Sequence, residues 1–205
     1  MKKIIILCTF IGFIFMANAT PSVNTDTVLA AEKYLNSITG LTGNFTQVAN
    51  GKTESGEFSM LRPGRVRLDY KTLPVQLISN GKDLYFYDKS LDQITTVPLT
   101  STPAGILVRQ NINLRTSDIQ VSQTSEAATE FRVKMHIKNQ VGVGNIELVF
   151  EKNPTALKSW TVIDATGTRT EVRFQNMRVK TDFGRNFFEL QRMRTTGASG
   201  DSFYD

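Results

Sequence analysis

This 205-residue sequence predicts a mainly β chain with helices: an incomplete antiparallel barrel of about eleven strands under an N-terminal helix and a short internal helix. Three observations lead there. Apolar and polar residues alternate in short segments from Leu41 almost to the end, the period of half-buried strands. Turn signals recur between these segments roughly every ten residues, which favours antiparallel over parallel pairing. Two stretches break the period, and together they are too short to cover so many one-sided strands, so the sheet must curl around a concave apolar surface left partly uncovered.

Lys2 and Lys3 precede the apolar run Ile4 to Met16, and Ala17-Asn18-Ala19 offers small residues where a signal peptidase reads. Residues 1–19 are therefore expected to be an export signal cut after Ala19. The run is about thirteen residues, short of the roughly 18–20 that cross a membrane. Cys8, the single cysteine, lies inside it behind Leu7 and not behind the small residue that a lipid-modified cysteine needs. Removing residues 1–19 from the 205 leaves 186 without cysteine, so the exported chain has no disulfide and no thiolate to use. Its formal charge falls from +5 to +3 with the loss of Lys2 and Lys3. That length suits one domain over residues 20–194, followed by a loose Gly- and Ser-containing tail at 195–205.

Asn24, Thr25 and Asp26 offer caps for a helix from about Asp26 to Ser37, with Val28, Ala31, Leu35 and Ile38 on one stripe and Gly40 as terminator. Such a helix packs on a sheet. Strands follow on either side of Gly51, the second reaching Leu61. In the next hairpin, Pro63 presets a turn and Gly64 supplies a positive φ, which places the Arg62 side chain just outside it. Phe58 and Met60 share a face with Val66, Leu68 and Tyr70, while Ser59, Arg65, Arg67 and Asp69 take the other. Asn80-Gly81 closes Val75–Ser79 against Asp83–Asp88, where Leu84 and Phe86 oppose Tyr85 and Tyr87 across the strand.

Between Pro98 and Asn113 the alternation stops. Thr102 to Arg109 predicts about two helical turns with Thr102 as cap and Pro103 at the first position, either a plug in the core or a movable cover. Alternation then resumes through Ile119 and Val121, Phe131 to Ile137 (with Met135), Ile146, Leu148 and Phe150, Trp160 and Val162, and Val172 and Phe174, with turns at Gly142 to Asn145, Asn153-Pro154 and Thr166-Gly167. From Arg169 to Arg194 seven basic residues (169, 173, 178, 180, 185, 192 and 194) face three acidic ones, a strip that reads as a solvated strand face before it reads as a membrane or partner surface.

Catalysis finds little to build on. His136 is the single histidine, set on the polar side of its strand, and no nucleophile elbow, phosphate loop or metal-binding helix motif is present. Gly142-Val143-Gly144 lacks a third glycine and reads as a turn, and Asp88 and Asp92 read as solvated hairpin ends. No catalytic residue, metal or cofactor is expected, and no nucleic acid. The surplus of apolar face over covering helix points instead to an apolar ligand.

The order of short motifs resembles one family. Asn44-Phe45-Thr46-Gln47, Gly56-Glu57-Phe58, Arg62-Pro63, Arg67 to Tyr70, Pro74, Ser79 to Asp88, Gln93, and Thr102-Pro103 with Ile106 to Val108 are similar, in sequence and spacing, to the periplasmic outer-membrane lipoprotein carrier family, LolA. The likeness is good from Leu29 to Val108 and looser from Asp118 to Phe188. It implies a half-open barrel lidded by helices whose interior takes acyl chains of a lipoprotein released by an inner-membrane ABC exporter, ferries it across the periplasm and hands it to an outer-membrane acceptor, as a monomer without cofactor. On that pattern Arg62 is the latch between barrel and lid, Thr102 to Arg109 a lid segment, and the cavity wall comprises Phe58, Met60, Val66, Leu68, Tyr70, Leu84, Phe86, Ile106, Leu107, Met135, Leu148 and Phe150. Two departures stand out: Tyr85 where many members have Trp, and no Pro-Pro-Gly after Phe188.

The function expected is thus a carrier. The alternative is an envelope-stress regulator or lipid-binding sensor on the same half-barrel, usually carrying an added C-terminal domain for which 186 residues leave no room. A hydrolase is the third class, and it needs acid and base groups clustered inside the cavity.

Overall fold

The computed structural model describes residues 22–138, 144–164 and 166–190. The expected export signal and the expected tail at 195–205 lie outside them, as do Gly142, Val143, Arg192 and Arg194. The first element is the helix α1 (Thr25–Ser37), which starts where Asn24 accepts from the N–H groups of Asp26 and Thr27 at 2.8 and 3.3 Å. Val28, Ala31, Leu35 and Ile38, the expected stripe, are all buried. The helix ends at an extended Ile38 and not at glycine. Gly40 instead opens the next strand, where an added Cβ would lie 2.2 Å from the Lys180 carbonyl. Its need is for close backbone approach, not for a helix stop.

Ten-residue strands β1 (Gly40–Ala49) and β2 (Lys52–Leu61) form a hairpin, and β3 (Arg65–Tyr70), β4 (Val75–Asn80), β5 (Asp83–Asp88) and β6 (Gln93–Pro98) continue the meander. Two 3-10 helices follow, η1 (Leu99–Ser101) and η2 (Pro103–Val108). The second is capped by the Thr102 hydroxyl as expected but is wound more tightly than an α-helix. The chain then runs through β7 (Ile119–Glu126), β8 (Glu130–Ile137), β9 (Asn145–Glu151), β10 (Ala156–Ile163) and β11 (Arg169–Val179). All pairings are antiparallel in the order β6-β5-β4-β3-β2-β1-β11-β10-β9-β8-β7, so the eleven-stranded sheet is open, with β6 and β7 as its edges. Among the described residues no helix is long and apolar enough to cross a membrane.

Two apolar clusters lie on the concave side. One packs α1 and η2 on β7 to β9, joining Val28, Ala31 and Leu35 to Ile106, Val133, Met135, Leu148 and Phe150. The other gathers Ile38, Leu41, Phe45, Phe58, Met60, Leu68, Val172 and Phe174 on β1 to β3 and β11. The helix is tied to the first side. Thr124 receives the backbone of residues 22–24 at the β7 edge, the Asn36 amide exchanges two hydrogen bonds with the Ile112 backbone, and buried Glu32 accepts from Leu114 N–H and the Arg115 guanidinium. The convex side of β3 to β5 carries a small core of its own, covered by residues 183–188. Arg67 donates to the Phe187 carbonyl at 2.8 Å and lies over the Phe187 ring, Arg65 lies over Phe188, and Phe183, Phe187 and Phe188 pack together.

Candidate functional site

The second cluster does not fill its side of the sheet. A cavity of about 160 Å³ remains between β1 to β5, β10 and β11 below and η1 and η2 above, lined by Gln47, Phe58, Met60, Val66, Leu68, Leu77, Leu84, Leu99, Leu107, Val108, Trp160, Thr170 and Val172. Strand register makes its floor. Phe58, Leu68, Leu77 and Phe86 pair successively across β2 to β5, so one apolar row crosses four strands. Ligand pockets usually offer ~300–1,000 Å³, and this cavity is smaller than that in the state described.

Of the wall residues expected from sequence, Phe58, Met60, Val66, Leu68, Leu84 and Leu107 line the cavity. Tyr70 stands on the same face beside it, its ring edge-on to Phe45 at 5.1 Å and its hydroxyl donating to Gln47 Oε1 at 2.8 Å. Burial pushes its pKa up to about 12, helped by the charge of Glu54 and opposed by the bond to Gln47. Phe86 ends the apolar row but is not among the lining residues and is 44% exposed. Ile106, Met135, Leu148 and Phe150 are brought together elsewhere, fully buried in the cluster under α1 and outside the lining of this cavity. Period two assigns Met135, Leu148 and Phe150 to the concave face and does not tell filled from empty parts of it, whereas Ile106 falls where alternation stops. Gln47, Leu77, Leu99, Val108, Thr170, Trp160 and Val172 are lining residues outside the expected set. Alternation signalled the last two, whereas Leu99 and Val108 fall where no period exists.

Arg62 is not outside its hairpin. It turns inward, 6% exposed, and spreads its guanidinium over backbone carbonyls of both covering elements. Nε and Nη2 donate to Leu107 O at 3.2 and 2.9 Å, and Nη1 to Ile38 O at 2.7 Å and also to Leu35 O. Its neighbour Gly64, at φ +71°, donates its N–H to Val108 O at 2.7 Å. One side chain thereby joins β2, the end of α1 and η2. Burial lowers its pKa from the usual arginine value. The opposite face of the sheet is chemically different: Arg132, Lys158, Arg169 and Arg173 pair with Glu130, Glu147 and Glu171 across β8 to β11, so at the start of the basic strip Arg169 and Arg173 share the one carboxylate of Glu171. Among the described residues no three His, Cys, Asp or Glu side chains group as a metal site requires.

Residues 36–191, well over half of the chain, match the family described as outer membrane lipoprotein carrier protein LolA. The chain belongs to this family. An outer-membrane lipoprotein carrier protein of Coxiella burnetii (strain CbuK_Q154) is 28% identical over 95% of this chain and 97% of its own length. One from Neisseria gonorrhoeae is 25% identical over 90% and 92%. Among solved structures, an uncharacterized conserved protein from Thermus thermophilus aligns over 82% of this chain and 94% of its own at 10% identity, with a TM-score of 0.48.

Proposed function

We propose that this chain is a non-enzymatic lipoprotein carrier that takes acyl chains into the cavity beneath η2, crosses the periplasm with them and releases them at the outer membrane. The single observation that carries this reading is an apolar cavity roofed by an element that one arginine latches through backbone carbonyls. A chain of about sixteen carbons left in water forfeits roughly 12 kcal/mol at ~0.8 kcal/mol per methylene, so a lipoprotein travels only if its chains are shielded. Release must still be possible. Lifting η2 to enlarge a small site breaks the Arg62 bonds, and that loss offsets part of the binding gain, which keeps affinity moderate and onward transfer downhill.

In this scheme the export signal delivers a monomer of residues 20–194, with its tail, to the periplasm. An inner-membrane ABC exporter loads it and an outer-membrane acceptor receives the cargo. The test is mass spectrometry of the protein isolated from the periplasm, with crosslinking to hold the cargo. Recovery of acylated lipoproteins is the expected result; recovery of no acylated species refutes the carrier role.

A further inference from the structure

We propose that Gln47 and Thr170 form a polar end of the cavity that receives the neutral carbonyl groups of ester- and amide-linked acyl chains, so that each chain lies with its methyl end toward Leu99 and Val108. This rests on the carrier role above and names the part of the cargo that is read. Apart from the Trp160 indole, Gln47 and Thr170 are the polar residues of an otherwise apolar lining. They adjoin each other: Gln47 pairs with Val172 across β1 and β11, and Thr170 stands two residues along on the same face, a diagonal neighbour roughly 7–8 Å away. Both lie near the Ala49 end of β1, whereas the roof meets the sheet at the opposite end, where Gly64 bonds Val108 and Leu99 N–H bonds the Lys82 carbonyl. The cavity is therefore polar at one end and closed by aliphatic side chains at the other.

Gln47 is also held in one orientation. The Tyr70 hydroxyl occupies its amide oxygen, which leaves the amide NH₂ without a partner among the described residues; the Thr170 hydroxyl is likewise without one. Tyr70 is fixed in turn against the Phe45 ring, which lies so close over Gly56 that a Cβ there would sit 2.6 Å from it. No Lys or Arg lines the cavity, and Glu54 stands directly opposite Gln47 on β2. Uncharged donors beside a carboxylate suit a neutral carbonyl and disfavour an anionic headgroup.

The experiment compares a tripalmitoyl lipopeptide carrying ester- and amide-linked chains with its ether-linked counterpart, which lacks the carbonyls, by displacement of a fluorescent fatty acid. The unaltered protein is expected to favour the carbonyl-bearing probe about fivefold, the effect of one buried hydrogen bond. Gln47→Leu collapses that ratio toward one, whatever it does to the affinity for the ether probe itself; Tyr70→Phe, which frees the Gln47 amide to rotate, lowers it partway. Because the ratio is internal to each variant, partial unfolding does not mimic it. An unchanged ratio in Gln47→Leu, or equal loss of both probes, overturns the proposal and leaves the carrier role standing. Failure of the unaltered protein to bind either lipopeptide overturns both.

Discussion

Replacing Arg62 by leucine removes a side chain that joins the end of β2 to both covering elements. Three buried carbonyls, those of Leu35, Ile38 and Leu107, lose a charged donor. An acceptor left unpaired costs ~1–3 kcal/mol; Leu35 O keeps the Ile38 N–H at 3.4 Å and water enters once η2 lifts, so the closed arrangement is destabilised by about 2–4 kcal/mol overall. That is a shift of roughly 30- to 1,000-fold toward the open state. Hydrogen exchange reads it directly: the Gly64 amide, bonded to Val108 O, and the amides of Ile106 to Val108 should lose protection by that factor while those of β8 and β9 keep theirs. In a transfer assay the variant should retain acylated cargo and deliver it poorly, because the empty state no longer gains the latch on release. Unchanged protection over Ile106 to Val108, together with normal transfer to outer-membrane acceptor vesicles, refutes the latch.

Three further outcomes are expected. Leu84→Phe fills part of the cavity floor, changing stability by under ~1 kcal/mol since space exists, and excludes about two methylenes of ligand, which weakens an acyl probe roughly tenfold in a displacement titration. Met135→Ala or Leu148→Ala, in the packed cluster, should cost about 2–5 kcal/mol in urea unfolding and leave probe affinity of the folded protein unaltered; a large affinity change would place these residues in the binding wall after all. Burial raises the Asp69 pKa, but hydrogen bonds from Arg67 and Gln76 outweigh it and hold the carboxyl below the usual aspartate value. A depressed folded pKa contributes stability that is present above the unfolded value of about 3.9 and is lost as pH falls through the folded one. Acid titration should therefore loosen the 183–188 cover below about pH 4 in the unaltered protein, and Asp69→Asn should flatten that step when followed by exchange at Phe187 and Phe188.

The convex cover shows where sequence reasoning stops. Phe183, Phe187 and Phe188 have no period and no motif, yet they seal the outer face of β3 through Arg65 and Arg67. Two arginines that alternation marks as solvent-facing thus become supports for aromatic rings, because cation–π and carbonyl contacts depend on where a distant segment returns.

Local rules sufficed for the strands, since side-chain direction alternates with every residue and apolar period two selects the face regardless of what lies beyond it. They sufficed as well for the capped helix, for Asn80-Gly81 and for the positive φ at Gly64, all of which are settled by a few neighbouring residues. Arg62 differs. Its turn was legible, but its direction was not, because its acceptors are main-chain oxygens that carry no sequence identity and come from elements 24 to 45 residues away. The same holds for the concave face: alternation assigns Phe58 and Met135 alike to the inside, and only the packing of α1 over β8 and of η2 over β2 leaves one beside empty space and the other in a filled core. Whether an apolar surface becomes core or cavity is a property of volumes summed over the whole chain, and no single stretch contains it.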